Sequence, residues 1–293
     1  MSILLVGLLV LLYSFQSAFA NQYARHYPGE KTYSSQIYSV FYGVIVSLAT
    51  LVIAGFQFSP SLPTVLLGVV NGAVLVTYNA MLIRASSIGS YAITMIFNLS
   101  GGILIPMFWS MIHDGATLTV WQYAAIGVML VSFVFLNMED KKSESKVSAK
   151  FLIACLLLGL ANGIYGSLLN TQKSVMSGEE SAEMIIMTFF SSAVFAFLLL
   201  LIQAGKAALP GFRQTKKSTL FVILASVSAA SAVNILMYAL GLINVAVLYS
   251  LDNGGVLIVS VLWSAVILKE KLNRNKVIGL ILAIAAVFAL SIL

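Results

Sequence analysis

Asp252 is a carboxylate set deep in an apolar run, Ser250-Leu251-Asp252-Asn253-Gly254-Gly255-Val256-Leu257-Ile258, with Tyr249 three residues before it. A charged side chain at mid-bilayer costs roughly 2.5 to 3.5 kcal/mol on insertion scales, so such a group faces water, a partner or a ligand. Two chemistries are open to it. As a base it would take up a proton when a ligand leaves, exchanging one for the other. As a fixed anion it would pair with a cation beside the ring faces of Tyr249, Tyr238 and Trp263. A structural role is the alternative, because Asp252 lies only about 12 Å along a helix from Asn244, near where water reaches a helix end.

The phrase around Asp252 occurs twice. In one gapless register of 154 residues, Asn98 falls on Asp252, Ser100 on Gly254, Gly101 on Gly255, Trp109 on Trp263 and Ser110 on Ser264. Matched, Gly-interrupted apolar segments in two halves point to a transporter's binding site, because loosened backbone at membrane depth lines a cavity rather than facing lipid. Such glycines also serve a second purpose, letting two helices approach closely. Further polar groups recur inside apolar runs: Gln16, Asn71, Tyr78, Asn79, Tyr91 and Thr94 in the first half, Asn162, Tyr165, Asn170, Asn234, Tyr238 and Asn253 in the second.

The elements that position these groups follow from composition. Of 293 residues 60% are hydrophobic and 9% charged, where a soluble chain carries about a quarter charged. The expectation is a polytopic, all-α integral membrane protein of a bacterial inner membrane. Runs of about 20 apolar residues, enough to cross about 30 Å of hydrocarbon, occur ten times. They cover roughly 2–20, 37–56, 63–83, 89–112, 119–137, 150–170, 183–203, 218–241, 245–268 and 275–293. The first run ends Ala18-Phe19-Ala20, like a secretory cleavage site, but no basic residue precedes it and polar Gln16 and Ser17 interrupt it, so a retained helix is expected.

The charged stretch 139–149 reads as a cytoplasmic linker between two five-helix repeats, 1–138 and 150–293. Five helices is an odd number, so the second repeat enters from the opposite side and the two are inverted. Fifteen of the 16 Lys and Arg residues lie in the connections after the odd-numbered runs, among them Arg84, Lys141, Lys216 and Lys269, and Lys173 alone lies on the other side. That bias places the odd connections in the cytoplasm and both chain ends outside.

Ile267-Leu268-Lys269-Glu270-Lys271-Leu272, followed by Val277-Ile278-Gly279-Leu280-Ile281-Leu282-Ala283, resembles the penultimate-helix end, acidic-basic turn and last helix of the drug/metabolite transporter superfamily in its ten-span, EamA-like form. Leu118-Thr119 and Ile126-Gly127-Val128 echo it in the first half. The resemblance implies ten helices around a central cavity lined by the first, third, fourth, sixth, eighth and ninth. It also implies both ends in the cytoplasm, opposite to the charge bias. Two departures stand out: Ser-Gly-Gly and Asn-Gly-Gly occupy the places of the prolines such proteins often carry in the fourth and ninth spans, and His113-Asp114-Gly115 lacks the Glu of the turn.

The expected function is secondary transport of a small organic solute by alternating access, proton-coupled or holding a cationic or zwitterionic substrate. The candidate binding residues are Gln16, Tyr78, Tyr91, Asn98, Asn162, Tyr165, Tyr238, Tyr249, Asp252 and Asn253, with Asp252 the proton-coupling candidate. A passive channel with the same polar lining is the alternative. No nucleophile-base pair is visible, His26 and His113 have no companion ligands, and no phosphate-binding loop occurs, so neither an enzyme nor a metal site, cofactor or ATP-driven pump is expected. The partners expected are the solute, the lipid bilayer and protons, with no nucleic acid. Tyr33, Tyr38, Tyr42 and Trp121 fall near run ends and read as membrane-interface residues.

Overall fold

The apolar runs become helices because hydrocarbon offers no partner to the backbone, so each segment must satisfy its own N–H and C=O groups. The computed structural model describes residues 2–30, 33–88, 91–137, 148–266 and 273–292. Among these it holds ten α-helices: α1 (Ser2–His26), α2 (Ser34–Ile53), α3 (Leu62–Ile88), α4 (Tyr91–His113), α5 (Val120–Asn137), α6 (Ala149–Val175), α7 (Ser181–Ala204), α8 (Lys216–Ala239), α9 (Val245–Val266) and α10 (Arg274–Ile292). A short 3-10 helix, Gly205–Phe212, follows α7. Seven of the helices are long and apolar enough to cross a membrane, which makes this a helical membrane protein. The 139–149 linker and the Lys269 to Leu272 turn fall largely or wholly outside the described residues.

Helix starts are set by local chemistry. Thr119 and Gln122 cap α5 reciprocally, the Thr119 amide donating to Gln122 Oε1 at 2.9 Å and the Gln122 amide to Thr119 Oγ1 at 3.2 Å. Thr215 and Ser218 form the same box at α8. Asn273 Oδ1 accepts from the Lys276 amide at the start of α10, and Ser148 Oγ from that of Phe151 at α6. Two helices outrun the apolar stretches that announce them. α1 continues past Ala20 through Asn21-Gln22-Tyr23-Ala24-Arg25, and α6 past Asn170 through Thr171-Gln172-Lys173. Hydropathy marks where lipid ends, not where helix propensity does.

The helices fall into two compact units. One comprises Met1–Leu11, Met81–Asn170 and Leu242–Leu293; the other comprises Leu12–Ala80 and Thr171–Gly241. In the first, α5 packs on α10 and α4 on α9, around a core that includes Ile103, Met107, Met129, Phe133, Leu251 and Ala286. In the second, α2 packs on α7 and α8.

Packing in each unit relies on glycine. A Cβ at Gly101 of α4 would strike the backbone of Gly159 on α6, and one at Gly163 would lie 2.6 Å from the Gly101 carbonyl, so these helices touch backbone to backbone. In the second unit a Cβ at Gly72 of α3 would lie 2.8 Å from the Thr188 carbonyl and 2.6 Å from Ser191 Cβ, and one at Gly68 would strike Met187, both on α7. The two contacts share a five-residue phrase, Gly68-Val-Val-Asn-Gly72 and Gly159-Leu-Ala-Asn-Gly163. Lipid tails are as apolar as leucine, so close approach over small residues is what holds such helices together.

Candidate functional site

The first unit assembles both copies of the Gly-Gly phrase with α6 between named partners. Asn162 of α6 donates its side-chain amide to the Asn98 carbonyl of α4 at 2.9 Å. Gly102 is the meeting point: a Cβ there would lie 2.5 Å from Asn162 Nδ2 and 3.3 Å from Asn253 Oδ1 of α9. Tyr249 of α9 donates its hydroxyl to the Gly166 carbonyl at 2.9 Å, its ring seated where a Gly166 side chain would go. Asn253 turns its amide nitrogen back onto the Tyr249 carbonyl at 2.8 Å. Asp252 is 8% exposed, and its Oδ1 is buried with no hydrogen-bond partner. Tyr165 and Asp252 both lie within electrostatic reach of the Tyr249 hydroxyl.

α4 runs unbroken from Tyr91 to His113 and carries a proline near its Gly-Gly pair. Pro106 lies inside α4, four residues after Gly102. Proline has no N–H, so the Gly102 carbonyl receives no i+4 amide. α4 thus does hold a proline, a turn beyond the Ser-Gly-Gly element that the resemblance to transporters of this type puts in its place. The paired glycines also divide their work. Gly101 and Gly102 face α6 and α9, while Cβ atoms at Gly254 and Gly255 would strike Met129 of α5 and Val10 of α1.

The site residues expected from sequence thus separate. Asn98, Asn162, Tyr165, Tyr249, Asp252 and Asn253 belong to the first unit. So does Tyr91, which opens α4, but its side chain lies outside the described part, as does that of Trp263. Gln16, Tyr78 and Tyr238 belong to the second unit. Gln16 donates to the Tyr42 hydroxyl at 3.0 Å. Tyr78 is half-buried on α3. Tyr238 is 52% exposed on α8.

The second unit corrects the interface assignment of two tyrosines. Tyr42 is 8% exposed, stacks on Tyr38 at 5.2 Å and meets Phe189 of α7 edge-on at 5.6 Å. Tyr38 in turn meets Tyr23 of α1 at 5.0 Å. These rings fill the contact between helices, because a Tyr that can pack its ring and place its hydroxyl is well suited to a buried position. Trp121, at the start of α5, is 71% exposed.

Polar side chains tie the second unit at depth. Asn79 donates to Ser39 Oγ at 3.2 Å, Asn234 to Thr50 Oγ1 at 3.3 Å, and Ser47 to the Ile186 carbonyl at 3.2 Å. Asn71, between the two α3 glycines, is fully buried with neither amide atom partnered, and Thr188 Oγ1 is buried and unpartnered too. Beyond the spans, Glu180 Oε2 accepts from the Ser61 amide at 2.9 Å and hydroxyl at 2.8 Å, at the start of α3. Hydrogen bonding from Thr64, then from Ser61, holds the Glu180 carboxyl below its ordinary value.

Among the described residues no group of three or more His, Cys, Asp or Glu side chains could hold a metal ion. No known family matches the chain, and no curated protein matches it. Solved structures do. One described as "Crystal structure of protein" is similar at a TM-score of 0.75 and 13% identity, covering 99% of this chain and 97% of the other. At that identity the likeness shows the fold alone.

Proposed function

We propose that the protein is a secondary transporter of ten membrane spans in two inverted five-helix repeats, of the drug/metabolite transporter type, moving a small organic cation or zwitterion by alternating access. The observation that carries the proposal is the buried, unpartnered Asp252 oxygen on α9, beside Tyr249, whose hydroxyl is held by α6, and Asn253, which reaches Gly102 of α4. An ionisable group kept in an apolar segment at such cost marks a ligand or proton path.

The repeat is supported by the packing partners. α2 packs on α7, α4 on α9 and α5 on α10, each helix meeting the one five places later. An inverted pair of five-helix units generates that pairing.

Counterflow in proteoliposomes tests the proposal. Liposomes preloaded with unlabelled solute should take up labelled solute faster than empty ones, because a carrier exchanges and a channel does not. Equal rates over a metabolite panel would remove the carrier and leave the facilitator. Proton coupling is tested by the same vesicles under a pH gradient: Asp252→Asn should retain exchange and lose gradient-driven accumulation.

A further inference from the structure

The bonds made around Asp252 leave one of its carboxylate oxygens without a hydrogen. The Tyr249 hydroxyl is committed to the Gly166 carbonyl, and the amide nitrogens of Asn162 and Asn253 are turned onto the carbonyls of Asn98 and Tyr249. Each of those amides keeps a second N–H, but the buried polar atom left without a partner is an oxygen, Asp252 Oδ1. On the next residue Asn253 Oδ1 lies 3.3 Å from the place of a Gly102 Cβ, and Pro106 gives no amide to the Gly102 carbonyl.

From this unpartnered carboxylate oxygen we infer that the site takes an organic cation bearing N–H groups, a protonated primary or secondary amine, and discriminates against quaternary ammonium ions and anions. The inference rests on the transporter proposal and names its substrate class. A quaternary nitrogen brings charge to Asp252 but no hydrogen for the oxygens, and its methyl groups would keep water from them. A protonated amine brings both. Sites built to hydrogen-bond a ligand reject the analogue that lacks the donor, because the site's buried polar atoms are then left unpaired. An anion would meet the like charge of the Asp252 carboxylate.

Binding of phenethylamine, its N,N,N-trimethyl derivative and 3-phenylpropionate to the purified protein, measured by calorimetry and thermal shift, tests this. The amine should bind about tenfold or more tightly than the trimethyl derivative, the factor of one charge-assisted hydrogen bond, and the carboxylate should not bind. Asp252→Asn should abolish amine binding, and Asp252→Glu should keep the amine preferred. Equal or tighter binding of the trimethyl derivative, binding of the carboxylate, or no binding of any of the three overturns the inference. Failure here is separable from failure of the transporter proposal. Counterflow of a neutral, quaternary or anionic solute would keep the carrier and discard this substrate class, whereas absence of counterflow for every solute discards the carrier whatever the amine does.

Discussion

Asn162 of α6 spends its side-chain amide on the main-chain carbonyl of Asn98, at 2.9 Å across to α4. The bond places one copy of the repeated phrase against α6 through backbone, leaving the Asn98 side chain outside that bond. Asn162→Leu keeps the volume and removes the donor. A net hydrogen bond contributes about 0.5–1.5 kcal/mol, so a small fall in thermal stability is expected, with a larger effect on ligand affinity because Gly102 and Asn253 lose their neighbour. Unchanged ligand affinity in Asn162→Leu would make the bond purely structural.

Gly101→Ala should be more damaging than its single methyl suggests. The new Cβ would point at the backbone of Gly159, which cannot rotate aside as a side chain can. Overpacking of that kind costs roughly 1–3 kcal/mol, so a clear drop in melting temperature is expected. Gly127→Ala is the control, since a Cβ there meets nothing within 4 Å and should leave stability unchanged or raised. Equal melting temperatures for both variants would argue against the close α4–α6 contact.

Glu180 makes stability depend on pH in one direction. Its carboxyl is held below its ordinary value in the folded protein, first by Thr64 and then by Ser61. A depressed folded value means the contribution is fully present above the unfolded value and lost as pH falls through the folded one. Wild type should therefore melt higher than Glu180→Gln at pH 7, with the difference closing under acid conditions below the ordinary carboxylate range. A difference that persists at the acid end would assign the effect to packing instead.

Much of this architecture was legible in the sequence, and the failures have physical causes. Apolar runs predicted α2, α7, α9 and α10 to within a few residues, because lipid burial and helix formation coincide there. They cut α1 and α6 short, because Gln22 and Gln172 are polar and still good helix formers. In the site, Asp252 could be singled out as a carboxylate in an apolar segment. The partner of Tyr249 could not, since Gly166 offers only a carbonyl, which every residue has. Tyr42 was misplaced for the opposite reason: nearness to a run end suggests the interface, but orientation around the helix turns its ring inward against Phe189. The phrase Gly-x-x-Asn-Gly was readable in α3 and α6, and its spacing is the known signature of close helix contact.

That phrase yields the last prediction, because its two copies end differently. Asn162 finds a carbonyl across the interface, while Asn71 is fully buried with both amide atoms unpartnered, and Thr188 Oγ1 on the helix packed against Gly68 and Gly72 is also unpartnered. Each orphaned buried group costs about 1–3 kcal/mol relative to an apolar group of the same shape. Asn71→Leu and Thr188→Val should therefore raise the melting temperature, singly and together, where most buried substitutions lower it. A fall would mean that these atoms are satisfied in the membrane-embedded protein by water or an ion. The two cases separate by transport: a stabilised Asn71→Leu that exchanges solute normally marks a tolerated cost of folding, whereas one that is stabilised and inactive marks a polar group kept for the working cycle.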